Sequence, residues 1–101
     1  MIKPYNRISA VEYALKYALS PNPEYYFFGG IGGDCTNFTS QCLYAGSKVM
    51  NYYKYNGWYY SNVNSRSPSW TSVQFFQNFI LNNNSIGPFA KLVPQNEIEI
   101  G

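Results

Sequence analysis

A cysteine sits where a helix is expected to begin. The segment Gly33-Asp34-Cys35-Thr36-Asn37-Phe38-Thr39-Ser40-Gln41-Cys42-Leu43 places the thiol of Cys35 in the first turn. There the unsatisfied N–H groups and the macrodipole favour an anion. The backbone N–H at that position is also placed to help hold a tetrahedral oxyanion, and the glycines at 29, 30, 32 and 33 let a substrate backbone come close. One element can thus supply a nucleophile and part of an oxyanion hole. The bland alternative is that Cys35 is a small buried residue, as many free cysteines are. Cys42, two turns further on, reads as core packing. Asp34 reads first as the N-cap, since a carboxylate beside a thiolate opposes its formation, and Asn37 and Gln41 as hydrogen-bonders fixing the helix against loops.

Other chemistry is thinly represented. The chain contains no histidine, and without C-x-x-C a zinc site is not expected; no cofactor is implied. On one helix Cys35 and Cys42 would stand roughly 10 Å apart along the axis, too far for a disulfide. Seven basic and five acidic residues give a net charge of +2, scattered without a stripe, so nucleic-acid binding is disfavoured. No window reaches the length of a membrane span, and the start Met-Ile-Lys-Pro lacks the apolar run of a signal peptide. At 101 residues, 46% hydrophobic and 20% aromatic, the chain suits one small folded domain, with Tyr and Asn giving a neutral, hydrogen-bonding surface.

Three helices are expected to position these residues. The first spans 6–19, with Asn6 as N-cap and Ile8, Val11, Ala14, Leu15 and Ala18 as its buried stripe; Ser20-Pro21-Asn22-Pro23 stops it. The second spans 35–45, Phe38, Cys42 and Ala45 continuing the stripe from Cys35, with Gly46 at C′. The third spans 69–81, burying Trp70, Val73, Phe76 and Ile80, with Phe75 and Phe79 widening that face. The stretch 47–66 reads as a long ordered loop with short extended pieces. Glu97-Ile98-Glu99-Ile100 alternates as a half-buried strand does, giving a strand near 97–101 that could pair at its edge into a homodimer.

The run Asp-Cys-Thr-Asn-Phe-x-Ser-Gln at 34–41, with Tyr-Asn-Arg-x-x-Ala-x-x-Tyr-Ala at 5–14, Trp58-Tyr59-Tyr60 and the Ser69-Trp70 helix start, resembles the putative amidase domain family, related to papain-like hydrolases of the CHAP and NlpC type. The resemblance implies an α+β fold of papain-like cysteine hydrolase type, represented by its N-terminal helical half with little strand. It implies Cys35 as the nucleophile of an acyl-enzyme mechanism, with a downstream histidine as base. By that resemblance the ending at Gly101 leads into a missing catalytic half, or the chain is a natural pseudoenzyme; either way it is expected to be inactive alone. Tyr25 and Tyr26 lie where relatives place an oxyanion donor, although packing is the simpler role, and Asp34 and Trp58 are further oxyanion or substrate candidates, Trp58 with core packing as its simpler role. The implied substrate is a peptide or peptidoglycan-derived amide, and the implied location the cell envelope or outside the cell. A rival reading is an aromatic-rich module binding glycan or peptide through rings such as Trp58, or a non-catalytic interaction fragment.

Overall fold

The computed structural model describes residues 4–29, 34–53 and 56–98. Within them lie α1 (Arg7–Tyr17), α2 (Cys35–Ser47), a hairpin of β1 (Tyr60–Asn62) and β2 (Ser65–Arg66), α3 (Pro68–Thr71), α4 (Val73–Asn82) and a 3₁₀ turn, Gln95–Glu97. The described residues thus form a mostly helical domain with one short antiparallel two-stranded sheet. Among them no helix is long and apolar enough to cross a membrane.

The core is built on two tryptophans. Trp58 and Trp70 are both 0% exposed, with ring centroids 4.7 Å apart. Tyr60 and Phe79 complete the buried cluster, and Tyr25, Leu43, Tyr44, Met50, Phe76 and Ile80 pack around it. Phe79 stacks on Trp58 at 6.0 Å. A buried indole needs an acceptor for its N–H, and α2 supplies both. Trp70 Nε1 donates to Asn37 Oδ1 (3.0 Å) and Trp58 Nε1 to Ser40 Oγ (3.1 Å). Ser40 Oγ in turn donates to the Trp70 carbonyl at 2.9 Å. The buried face of α2 is therefore largely polar (Thr36, Asn37, Ser40 and Gln41, with Ala45 and Gly46 at its end), where an apolar stripe through Phe38 and Cys42 was expected.

The α1 face also differs from expectation. Asn6 caps it as expected, its side chain accepting from Ser9 N at 3.0 Å. Ala10 is the buried residue, whereas Ile8 and Leu15 are 71% and 78% exposed. Tyr13 explains the rotation. Its hydroxyl donates to Gln41 Oε1 and accepts from Asn22 Nδ2, so the face that meets α2 carries Ala10 and the Tyr13 ring, 6.3 Å from that of Phe38, with Val11 and Ala14 half-buried and Ile8, Leu15 and Ala18 exposed. Asn6 N donates to the Gly46 carbonyl at 2.9 Å, and this approach leaves no room for a side chain. A Cβ on Gly46 would stand 2.9 Å from Asn6 O and 2.4 Å from the Tyr5 ring. Gly46 thus lies inside the helix as a contact residue. The cap is Lys48, at φ 61°, whose N–H donates to the Tyr44 carbonyl at 2.7 Å.

The expected third helix is broken at Ser72 (φ −106°, ψ 126°). Trp70 and Phe79 are nine positions apart, which on an unbroken helix of 3.6 residues per turn would point them in opposite directions. The break lets both enter one cluster and leaves Val73 and Phe75 exposed. Upstream of it, Asn51 and Trp58 exchange backbone hydrogen bonds of 2.8 and 2.6 Å, and Ser67 N donates to the Tyr59 carbonyl. These pairings and the hairpin are the short extended pieces expected within the ordered loop there. At the other end Glu97 closes a 3₁₀ turn, not a strand; 99–101 lie outside the described residues.

Substitutions two positions apart at the end of α2 should have opposite signs. Gly46→Ala should lower stability by about 1–3 kcal/mol through overpacking, and Lys48→Gly should raise it by about 1 kcal/mol by relieving the left-handed backbone. Thermal melts followed by tryptophan fluorescence check both; a neutral Gly46→Ala would contradict the close approach.

Candidate active site at the start of α2

Cys35 is the first residue of α2 and its thiol is exposed. The segment before it is held by Asn37, whose amide spends both hydrogens. Nδ2 donates to the Tyr26 carbonyl at 3.0 Å and to Asp34 Oδ1 at 2.9 Å, while Oδ1 accepts from Trp70. Asp34 Oδ1 also accepts from Phe28 N at 2.9 Å. Asp34 occupies the N-cap position but makes no side-chain cap bond. Its carboxylate instead ties residues 26–28 to the helix. The first-turn N–H groups have no intrahelical acceptor, and Asp34 does not occupy them.

The aromatic candidates divide by burial. Tyr26 is 43% exposed, yet its backbone is fully committed. Its N–H donates to the Tyr60 hydroxyl at 2.9 Å and its carbonyl accepts from Asn37, so only the phenol could meet a ligand. Tyr25 stacks on Trp70 (6.1 Å, 11°) and tilts against Tyr60. Burial, reinforced by the neighbouring Tyr13, Tyr44, Glu24 and Tyr60, pushes its hydroxyl well above the ordinary tyrosine value, which keeps it a hydrogen-bond donor. Trp58, 0% exposed with its indole N–H on Ser40, belongs to the core, and its ring offers no face to a sugar or peptide. The structure links Asp34, the residue before Cys35, to the Tyr26 backbone through Asn37, and it places Tyr25 and Trp58 in or against the core. Sequence reasoning missed Ser40 and Arg66. Ser40 was legible in principle, since two tryptophans in a small domain require buried acceptors.

Cys42 is half-buried, and burial raises its thiol from 9.0 to about 11. Among the described residues no cluster of three His, Cys, Asp or Glu could hold a metal. A concavity of about 750 Å³ is lined by Asn51, Tyr53, Phe75, Asn78 and neighbouring residues, and Cys35 is not among its lining residues.

A family model described as "Putative amidase domain" matches residues 4–100. The chain belongs to this putative amidase domain family. Two Bacillus subtilis proteins are similar to it. "Uncharacterized protein YhbB" is 38% identical over 80 residues, covering 77% of this chain and 24% of the relative. "Uncharacterized protein YjcM" is 36% identical over 80 residues, covering 79% and 17%. The chain thus spans a quarter or less of the length of these curated relatives. No solved structure matches it.

Two outcomes follow from this geometry. Asn37→Ala orphans the buried Trp70 indole and should cost about 1–3 kcal/mol. Asn37→Asp keeps the shape but sets acceptors against the Tyr26 carbonyl and the Asp34 carboxylate, so it should cost at least as much; a melt equal to wild type would contradict the network. In alkali, Cys42 and Tyr13 ionise in the unfolded chain near 9.0 and 10.0 but in the folded chain only near 11 and 12, burial being the largest cause for each. Their contribution is complete below pH 9 and is lost as pH rises through those folded values. The melting temperature should fall steadily above about pH 9, and less steeply in Cys42→Ala.

Proposed function

We propose that this domain belongs to an amide hydrolase in which Cys35 is the nucleophile. The observation that carries the reading is the exposed thiol at the first residue of α2, with Asp34 turned away from the first-turn N–H groups. Sγ of Cys35 attacks the amide carbonyl carbon, and the oxyanion gathers beside the first-turn N–H groups. The C–N bond breaks and the amine leaves with a proton; water then hydrolyses the thioester and restores the thiol. Proton transfer requires a base, and these 101 residues contain no histidine. The base is supplied from outside them, in keeping with relatives several times longer than the matched segment. The resemblance to papain-like cell-wall hydrolases supports peptides of the cell wall as the substrate class.

An activated ester tests the nucleophile without the base. Incubated with p-nitrophenyl acetate, the purified chain should acquire one acetyl group, which peptide mass spectrometry should place on Cys35 and which Cys35→Ala should abolish, while unactivated amides show no turnover. Acetylation at Cys42 alone, or turnover of amides that survives Cys35→Ala, would overturn the reading.

A further inference from the structure

Arg66, at the end of β2, is half-buried and fixed in place. Its Nε donates to Thr71 Oγ1 at 3.3 Å, its Nη1 to the Val63 carbonyl, and Cζ lies 4.8 Å above the Phe28 ring. Among the described residues no carboxylate pairs with it. A guanidinium carries five N–H donors; among the described residues two are engaged, and the planar fork matches a carboxylate. Arg66 lines a hollow of about 370 Å³ with Asn64, Thr71, Ser72 and Phe75, and Phe75 and Pro68 also line the larger concavity. The aromatic face under the guanidinium belongs to Phe28, whose backbone N–H is bonded to Asp34, the neighbour of Cys35. Asp34, the neighbour of Cys35, is thus linked to Arg66 through Phe28 by successive contacts.

We propose that the Arg66 hollow is a subsite for a carboxylate carried by the amide substrate. The substrate class is a peptide with a free acid near the scissile bond, and its anionic end is gripped by a side chain already ordered before it arrives. Preorganisation favours this role, because the guanidinium gives up little rotamer freedom on binding. As a statement about substrate it rests on the amide-hydrolase reading, but carboxylate binding is measurable without catalysis.

The test uses the Cys35→Ala chain, so binding is read apart from reaction. N-acetyl-dialanine, its C-terminal amide, and the C-terminal amides of N-acetyl-glutamate and N-acetyl-glutamine are titrated by NMR, following the Arg66 Nε–H and the amides of Asn64, Thr71 and Ser72. An acid should bind at least about fivefold tighter than its matching amide. The advantage should be lost in Arg66→Gln, with near-UV dichroism confirming the fold, and should shrink with salt in the Arg66-containing chain. Preference for the dialanine acid identifies a terminal carboxylate, and preference for the glutamate an acidic side chain. Equal binding of acids and amides, no binding of either, or an advantage that persists in Arg66→Gln overturns the proposal. None of these results alters acetylation of Cys35, so the two readings fail separately.

Discussion

The two buried indoles impose the constraint on which the rest of this domain depends. Trp58 and Trp70 supply the apolar volume of a small core, but each brings an N–H that cannot be left without an acceptor. Asn37 and Ser40, three positions apart on one face of α2, satisfy them. That requirement makes the inner face of the helix polar and fixes its rotation. It sets α2 against the start of α3, where Ser40 also bonds the Trp70 carbonyl. Among the described residues no buried side-chain polar atom is left without a partner, so the network stabilises the fold instead of burdening it.

The same network separates structure from chemistry within the 34–41 run. Asp34, Asn37, Ser40 and Gln41 are all spent holding segments together: 26–28 through Asp34 and Asn37, the tryptophans through Asn37 and Ser40, and α1 through the bond between Tyr13 and Gln41. Cys35 is left at the surface. For the proposed nucleophile, this frame, saturated with its own bonds, would hold the first turn of α2 in place.

Much of this was legible in the sequence, though unevenly. Asn6 and Asp34 marked where α1 and α2 begin, and the 34–41 run pointed to Asn37 and Gln41 as hydrogen-bonders. The buried face of α1 was not legible. Ile8 and Leu15 outrank Tyr13 on apolar character, but only Tyr13 has a hydroxyl that Gln41 and Asn22 can engage, and that partnership exists only in three dimensions. The break at Ser72 was hidden for a similar reason: the local pattern from Trp70 to Leu81 suits one helix, and only the shared destination of Trp70 and Phe79 forbids it. The hairpin at 60–66 is too short to carry a period. Gly46 carried the signal of a helix stop, yet its lack of a side chain serves the close passage of Asn6, and the stop falls on Lys48.

The central claim, that the fold presents Cys35 as a ready nucleophile, is tested most directly by competitive alkylation of the native chain at neutral pH, with modification at the two cysteines quantified separately by peptide mass spectrometry. The account predicts that Cys35 reacts faster than Cys42 by more than about tenfold, because the thiolate controls the rate and burial holds Cys42 in its protonated form. Equal rates, or faster modification of Cys42, would contradict it and show that the fold does not present the Cys35 thiol to solvent.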